Sequence, residues 1–440
     1  MVAFFRTYPF FVIFSLFVLV FCAHYVITGQ AVYGDGIGYY AHLRAGIIRR
    51  SFDTTPEYKH TYTPENNNAR VPMVAPTVQI VPVSNAGQAL NFYSVVPALM
   101  WSSGYFFVHA VVLGIQWLGG NISSSGFGDP YQLATGISSI LYVVLGLRFF
   151  EAILVELGDR RFARITTLAF AFSTPLLYYG AYDVIHSHTS SFFLVHMFIY
   201  IVIRSRKSAL HKSEAPRITH VILGLLLGVL IANRPQDGAV GMLYVWFLNH
   251  RSHTFSFIFA LCAGLLVWIV PNLYLYPDLS THPYIESLSI TKVFQASTWI
   301  APLFHAYRGL FVISPILVFS LLGFFCRRCG QQKYVVPFFL FFLAEYAIIS
   351  IHGGWQAAAY GGRMFISSLL FFAFGWQQLS VSIQQKSIVY ILTILFCIGN
   401  VLSIGNFLIF EKGAEGGRVG IEQRTMQRFN QLKLFWQKQN

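Results

Sequence analysis

Apolar runs of about 18–22 residues recur along the chain, separated by short polar turns rich in arginine, histidine and glycine. Runs of that length cross a bilayer as helices, and they lack the period-2 alternation that a membrane barrel needs. The pattern predicts spans near 8–28, 132–153, 164–182, 187–203, 218–234, 238–249, 254–275, 307–325, 333–352, 363–382 and 386–410. Segment 238–249 is short for a span, which predicts a tilted, broken or bundle-buried helix. The expected fold is therefore an all-α polytopic membrane protein of about 11 transmembrane helices. No small-x-small cleavage site follows the first run, so it reads as an uncleaved span with a cytoplasmic N-terminus.

The stretch 92–118 is apolar enough to span as well, and loop charge decides how to place it. If it stays at the membrane surface or re-enters from one side, Arg6, Arg160, Arg161, Arg164, Arg204, Arg206, Lys207, Lys212, Arg217, Arg251, Arg327, Arg328, Lys333 and Lys386 all face the cytoplasm. If it spans, all but Arg6 move outside, against the positive-inside rule. The chain then reads as one membrane domain over 1–410, with 29–131 as a long first extracytoplasmic loop containing interfacial helices. Residues 411–440 are the expected extracytoplasmic amphipathic tail. A multi-pass protein of a bacterial cytoplasmic membrane is the expected location.

Composition agrees. The 440 residues are 55% hydrophobic and 17% aromatic, with only 11% charged, and the mean hydropathy is +0.57. A soluble domain carries about a quarter charged residues. The net charge of +13 is a topology signal carried by short loops, so nucleic acid is not an expected partner; the bilayer is. The five cysteines fall in spans or cytoplasmic turns, where no structural disulfide is expected.

With this topology, polar residues from five turns share the outer face. They are Asp35 and Tyr39 in "GDGIGYY", Asp183, His186 and His188 in "AYDVIHSHTSS", and Arg234, Gln236 and Asp237 in "NRPQDG". "HAYRGLFVISP" adds His305 and Arg308, and "HGGWQAAAYGGRM" adds His352, Trp355 and Arg363. Singly, each has a plain structural explanation: an acid ends a helix, an arginine reaches a lipid phosphate, a glycine marks a turn or close packing. The clustering is what those explanations leave over. Arg234, Arg308 and Arg363 sit on the face that the positive-inside rule empties of cations, and an anionic ligand accounts for them.

Other motifs carry less. Cys326 and Cys329 form one CxxC with no second pair to complete a zinc site. Glu345 lies inside a span and needs a partner, a proton or a polar cavity. Arg148 and Glu151, three apart, are expected to pair with each other. Asn121-Ile-Ser123 matches a glycosylation sequon without other support.

A first span, a long loop opening with an Asp, and a second acid between spans three and four resemble the GT-C glycosyltransferases, in particular the protein O-mannosyltransferase and aminoarabinose-transferase branch. "GDGIGYY", "RGLFVISP" and "WQAAAYGGRM" are similar to pieces of bacterial members. One departure is that Gly36 follows Asp35 where the mannosyltransferase branch often has a second acid. The resemblance implies an inverting membrane transferase that moves a sugar from a polyprenyl-phosphate-linked donor to a glycan, lipid or protein acceptor. It implies Asp35 as the general base, Asp183 as the second-loop acid, and Asp183, His186 and His188 as candidate ligands of a divalent metal or contacts to the acceptor. Arg234, Arg308 and Arg363, with His186, His188, Trp355 and Tyr39, are expected at the substrate and its phosphate, and 92–118 as a wall of the donor groove. The rival class is a polytopic lipid or glycolipid transporter or flippase, which inverted repeats and paired broken helices would favour.

Overall fold

The structure, a computed structural model, describes residues 9–61, 84, 87–211, 216–248, 253–276, 278, 282–283, 293–326, 332–352, 355, 359–383 and 385–411. The polar stretch 63–73, Arg328, Cys329 and nearly all of the expected amphipathic tail lie outside the described residues.

Among the described residues the chain is helical and contains no strand. In chain order the helices are α1 (Pro9–Thr28), α2 (Gly36–Arg44), α3 (Thr55–Thr61), α4 (Val96–Trp117), α5 (Asp129–Leu157), α6 (Arg160–Ser173), α7 (Leu176–Ala181) and α8 (Ser187–His211). Then follow α9 (Arg217–Asn233), a 3-10 turn over Pro235–Val240, α10 (Gly241–Leu248), α11 (Thr254–Leu275), α12 (Ala296–Phe304), α13 (Leu310–Ile313) and α14 (Ile316–Gly323). The last are α15 (Gln332–His352), a second 3-10 turn over Arg363–Ser368, α16 (Leu369–Ile383) and α17 (Lys386–Asn406).

Among the described residues, six helical segments are long and apolar enough to cross a membrane: Pro9–Thr28, Val96–Trp117, Thr254–Leu275, Tyr334–His352, Arg363–Ile383 and Lys386–Ile409. Leu19, Phe107, Phe255 and Leu402 stand exposed on their outer faces, an apolar surface suited to lipid rather than water. The chain is an integral membrane protein built of helices. Where lipid surrounds the helices, apolar burial cannot drive them together, and close backbone approach must. α9 and α11 meet in this way. A Cβ on Gly228 would lie 2.8 Å from the Gly264 Cα, so only glycine permits the contact.

Several expected spans are broken. The run 164–182 divides at Thr174–Pro175 into α6 and α7, and 307–325 divides at Ser314–Pro315 into α13 and α14. Proline supplies no N–H and frees carbonyls of the preceding turn. At the first break a side chain from another helix takes them up: Asn400 of α17 donates to the Phe172 carbonyl at 2.9 Å and the Thr174 carbonyl at 3.0 Å. Asn400 Oδ1 in turn accepts from the Tyr360 hydroxyl at 2.9 Å. A polar residue buried on the otherwise lipid-exposed α17 is thereby explained.

α4 is not laid across the bundle as an interfacial helix. Tyr142 donates to the Met100 carbonyl, Gly104 packs against Ser138, and His109 meets the Tyr131 hydroxyl. As α4 advances, its partners on α5 step back, so α4 runs antiparallel along the first half of α5. Its start lies deep, beside the loop that carries Asp35, and its end passes the start of α5. α4 is thus packed lengthwise into the bundle along α5, and Val96–Trp117 is itself long and apolar enough to cross a membrane.

Charge is divided between the two ends. Glu156 takes Arg204 at 3.2 Å and also Lys207, Arg161 pairs with Asp159 at 2.6 Å, Arg164 reaches Glu151 at 3.3 Å, and Arg206 lies over the Phe247 ring. All are at the end of the bundle opposite Asp129 and the N-terminus of α5. The expected Arg148–Glu151 pair gives way to other partners. Glu151 bonds Arg164, and Arg148 lies over the Phe10 ring at 4.8 Å, because α6 brings a cation to Glu151 from across the turn.

Candidate functional site

α1 ends on Gly29, whose φ of +71° closes the helix. Tyr25, one turn earlier, donates to Asp129 at 2.6 Å, so the tops of α1 and α5 are level. The chain then turns back into the bundle. Val184 accepts a hydrogen bond from Ser139 at 2.6 Å, ten residues or about 15 Å down α5 from Asp129. The neighbouring Asp35 is thus sunk below the helix tops.

The glycines of "GDGIG" make this descent fit. A Cβ on Gly36 would stand 2.8 Å from the Ile185 carbonyl oxygen, and one on Gly38 would strike the Tyr93 ring. Gly36 lets α2 begin directly against the 183–186 turn and brings the two acid-bearing loops together. Gly36→Ala is expected to destabilise by roughly 1–3 kcal/mol, the usual cost of overpacking, and to lower activity per folded molecule. Gly46, where a Cβ meets nothing within 4 Å, is the control. Equal melting temperatures for Gly36→Ala and Gly46→Ala in detergent would refute the packing account.

Asp35 Oδ2 accepts from Arg363 Nη1 at 2.8 Å, and Oδ1 accepts from the Tyr93 hydroxyl at 3.2 Å. The Asp35 side chain is 27% exposed and that of Arg363 10%, so the carboxylate is the open member of the pair. Arg363 comes from 328 residues away. Gly361 packs on the Arg308 backbone, the Gly362 N–H donates to the Arg308 carbonyl at 3.2 Å, and Gly362 adopts a φ of +73°. The two glycines fold this turn tightly enough to present Arg363 to Asp35.

The second acid closes the other side. His186 Nε2 lies 3.3 Å from Asp183 Oδ1, and its Nδ1, buried without a hydrogen bond, faces Asp35 Oδ2 at 3.9 Å. The imidazole stands between two carboxylates. Tyr33 lies beside Asp183, and burial together with that carboxylate holds its phenol well above the usual value. His188 stacks on His186 with ring centroids 5.6 Å apart, and its Nδ1 meets Arg234 Nη1 at 2.7 Å. Arg234 also touches Met364 Sδ at 3.0 Å, and with the Gln236 amide turned toward it gains that oxygen at 2.9 Å from Nε. Tyr39 donates to Ser187 at 2.8 Å, with its ring edge toward His186.

Burial acts to raise the pKa of Asp35, but the Arg363 guanidinium outweighs it with help from His186 and the Tyr93 hydroxyl. The carboxyl is held below its ordinary range. It is ionised at neutral pH and, while Arg363 stays on it, a weak base.

Asp35, Tyr39, Asp183, His186, His188, Arg234 and Arg363 therefore form one connected group. Arg308 joins through its backbone, and the ring contact that fixes Trp355 runs to His305, with centroids 5.6 Å apart. Among the described residues no three His, Cys, Asp or Glu side chains gather as a metal-ligand set. Arg363 already occupies Asp35, and Arg234 occupies His188. As arranged, these residues do not fit a divalent ion.

Four participants carry no signal in the sequence. Tyr93 sits in an unremarkable "NFYS", Met364 reads as core, and Tyr179, which packs on both His186 and His188, reads as part of an apolar span. Ser367 is the fourth. It bridges Asp237 and Glu345 with contacts of 3.1 and 2.8 Å.

No protein-family model matches the chain, and no curated protein does. Among solved structures it is similar to the apo oligosaccharyltransferase of Archaeoglobus fulgidus, with a TM-score of 0.40 and 11% identity over 98% of this chain. The chain spans 56% of that protein's length. A likeness this distant assigns no residue a role, so function is argued from the site.

Proposed function

We propose that the chain is a membrane glycosyltransferase that moves a sugar from a polyprenyl-phosphate-linked donor to an acceptor at the end of the bundle holding Asp35. The observation that carries this reading is the ion pair of a partly open carboxylate with Arg363, beside a second cation, Arg234, in a sunken site within a membrane protein. The acceptor hydroxyl attacks the anomeric carbon and its proton passes to Asp35. The bond from that carbon to the phosphate oxygen breaks with inversion, and polyprenyl phosphate leaves. Arg363 and Arg234 are suited to the charge that grows on the leaving phosphate. Asp183 orients His186 toward Asp35. α4, packed along α5 beside the loop of Asp35, is suited to be a wall along which a lipid tail lies.

The test is reconstitution in liposomes with a panel of polyprenyl-phosphate sugars, reading transfer and release of polyprenyl phosphate. Transfer supports the reading. Its absence across the panel, with movement of the lipid between leaflets, favours the transporter, to which the broken helices at Pro175 and Pro315 lend support. The site end is expected to face outward from a cytoplasmic membrane. Cysteine at Phe52 should be labelled only from outside and cysteine at Arg204 only from inside; the opposite pattern overturns this orientation.

A further inference from the structure

Behind Arg234 lies a second polar group that the transfer reaction does not use. Asp237 of the first 3-10 turn and Glu345 of α15 are both fully buried, at 0% exposure. They share one partner, since Ser367 Oγ lies 3.1 Å from Asp237 Oδ1 and 2.8 Å from Glu345 Oε1. A hydroxyl has one proton to donate and two lone pairs. If both carboxyls were ionised, that proton would serve two acceptors, and one carboxylate would be left short of a donor. Oδ2 of Asp237 and Oε2 of Glu345 are also buried without a hydrogen bond of good geometry. Among the described residues, Arg234 is the cation whose charge acts on both carboxyls, and the hydroxyls of Ser191 on α8 and of Ser367 and Ser368 adjoin them. One guanidinium balances one negative charge, and an unbalanced second charge buried in this setting is costly.

We propose that Asp237 and Glu345 bind one proton between them, which makes a singly charged acid pair behind Arg234 that takes up a second proton when an anionic group binds to Arg234. In the resting protein the protonated carboxyl donates to Ser367 Oγ, which donates to the other carboxylate, so both contacts of Ser367 are satisfied. An anion arriving at Arg234 supplies its counter-charge from the other side. The pair's remaining negative charge then opposes the anion, and a proton from solvent removes it. This second step rests on the phosphate reading above, whereas the first does not.

Two measurements separate the steps. Infrared spectra of the resting protein at neutral pH should contain a protonated-carboxyl C=O stretch that is lost in both Glu345→Gln and Asp237→Asn. Two variants keep the result independent of how either substitution folds. Retention of the full band in both folded variants overturns the shared proton and leaves a bound monovalent cation as the neutralising species. Titration calorimetry with farnesyl phosphate, in two buffers of different ionisation enthalpy, should give an uptake of up to one proton per ligand beyond that seen with Glu345→Gln. Binding with equal uptake in both proteins overturns the coupling while the phosphate reading stands. No binding by the wild type overturns the coupling and the phosphate reading together, while the infrared band still decides the shared proton.

Discussion

Asp35→Asn is expected to lower sugar transfer by roughly 10²–10⁴-fold, the usual worth of a general base, or about 3–5 kcal/mol of barrier. The substitution preserves shape, and an amide oxygen still accepts from Tyr93 or Arg363, so the turn held by Gly36 has no reason to move. What it removes is the ability to take the acceptor's proton at neutral pH. The measurement is initial transfer rate per folded molecule, beside binding of the lipid-linked donor and a melting curve. Donor binding should persist while transfer collapses. Undiminished transfer would take Asp35 out of the chemistry. Loss of folding with activity per folded molecule retained would make it a structural partner of Arg363.

The sequence made the class legible for physical reasons. Hydrophobic length identifies helices in lipid without reference to tertiary contacts, and loop charge sorts the turns by side. Both are local properties, and the turns that carry Asp35, Asp183, Arg234 and Arg363 come together in one group, with Arg308 joining through its backbone. Pairing between distant elements was not legible. Asp35 and Arg363 are 328 residues apart, and nothing local marks Tyr93 or Ser367 as neighbours of a carboxylate. Arg148 and Glu151 had ideal helical spacing, yet α6 brought Arg164 closer. The 164–182 run reads as continuous because hydropathy does not register that Thr174–Pro175 breaks the ladder, nor that Asn400 satisfies the break. Gly36 is the instructive position. Beside the resemblance it is a missing acid; in the structure it is the residue whose lack of a side chain lets two acid-bearing loops touch.

Arg363→Gln is expected to cost roughly 10²–10³-fold in transfer, comparable to removing one preorganised donor to a developing anion, and it should also shift the pH profile. Asp35 works as a base only when deprotonated, so activity falls as pH drops through its pKa. Arg363 holds that pKa below the ordinary range against the effect of burial. Without the guanidinium, burial acts unopposed by its largest counterweight, the pKa rises, and the acid limb of kcat/KM moves to higher pH. Arg363→Lys separates charge from geometry. It keeps a cation near Asp35, so the acid limb should stay near that of the wild type. It lacks the planar fork that bonds a carboxylate and a phosphate together, so transfer at low donor concentration should still fall clearly. An arginine that only reached bulk lipid phosphate would be replaced by lysine without loss. Wild-type turnover by Arg363→Lys at subsaturating donor would therefore remove Arg363 from phosphate recognition, and an unmoved acid limb in Arg363→Gln would show that its ion pair does not set the basicity of Asp35.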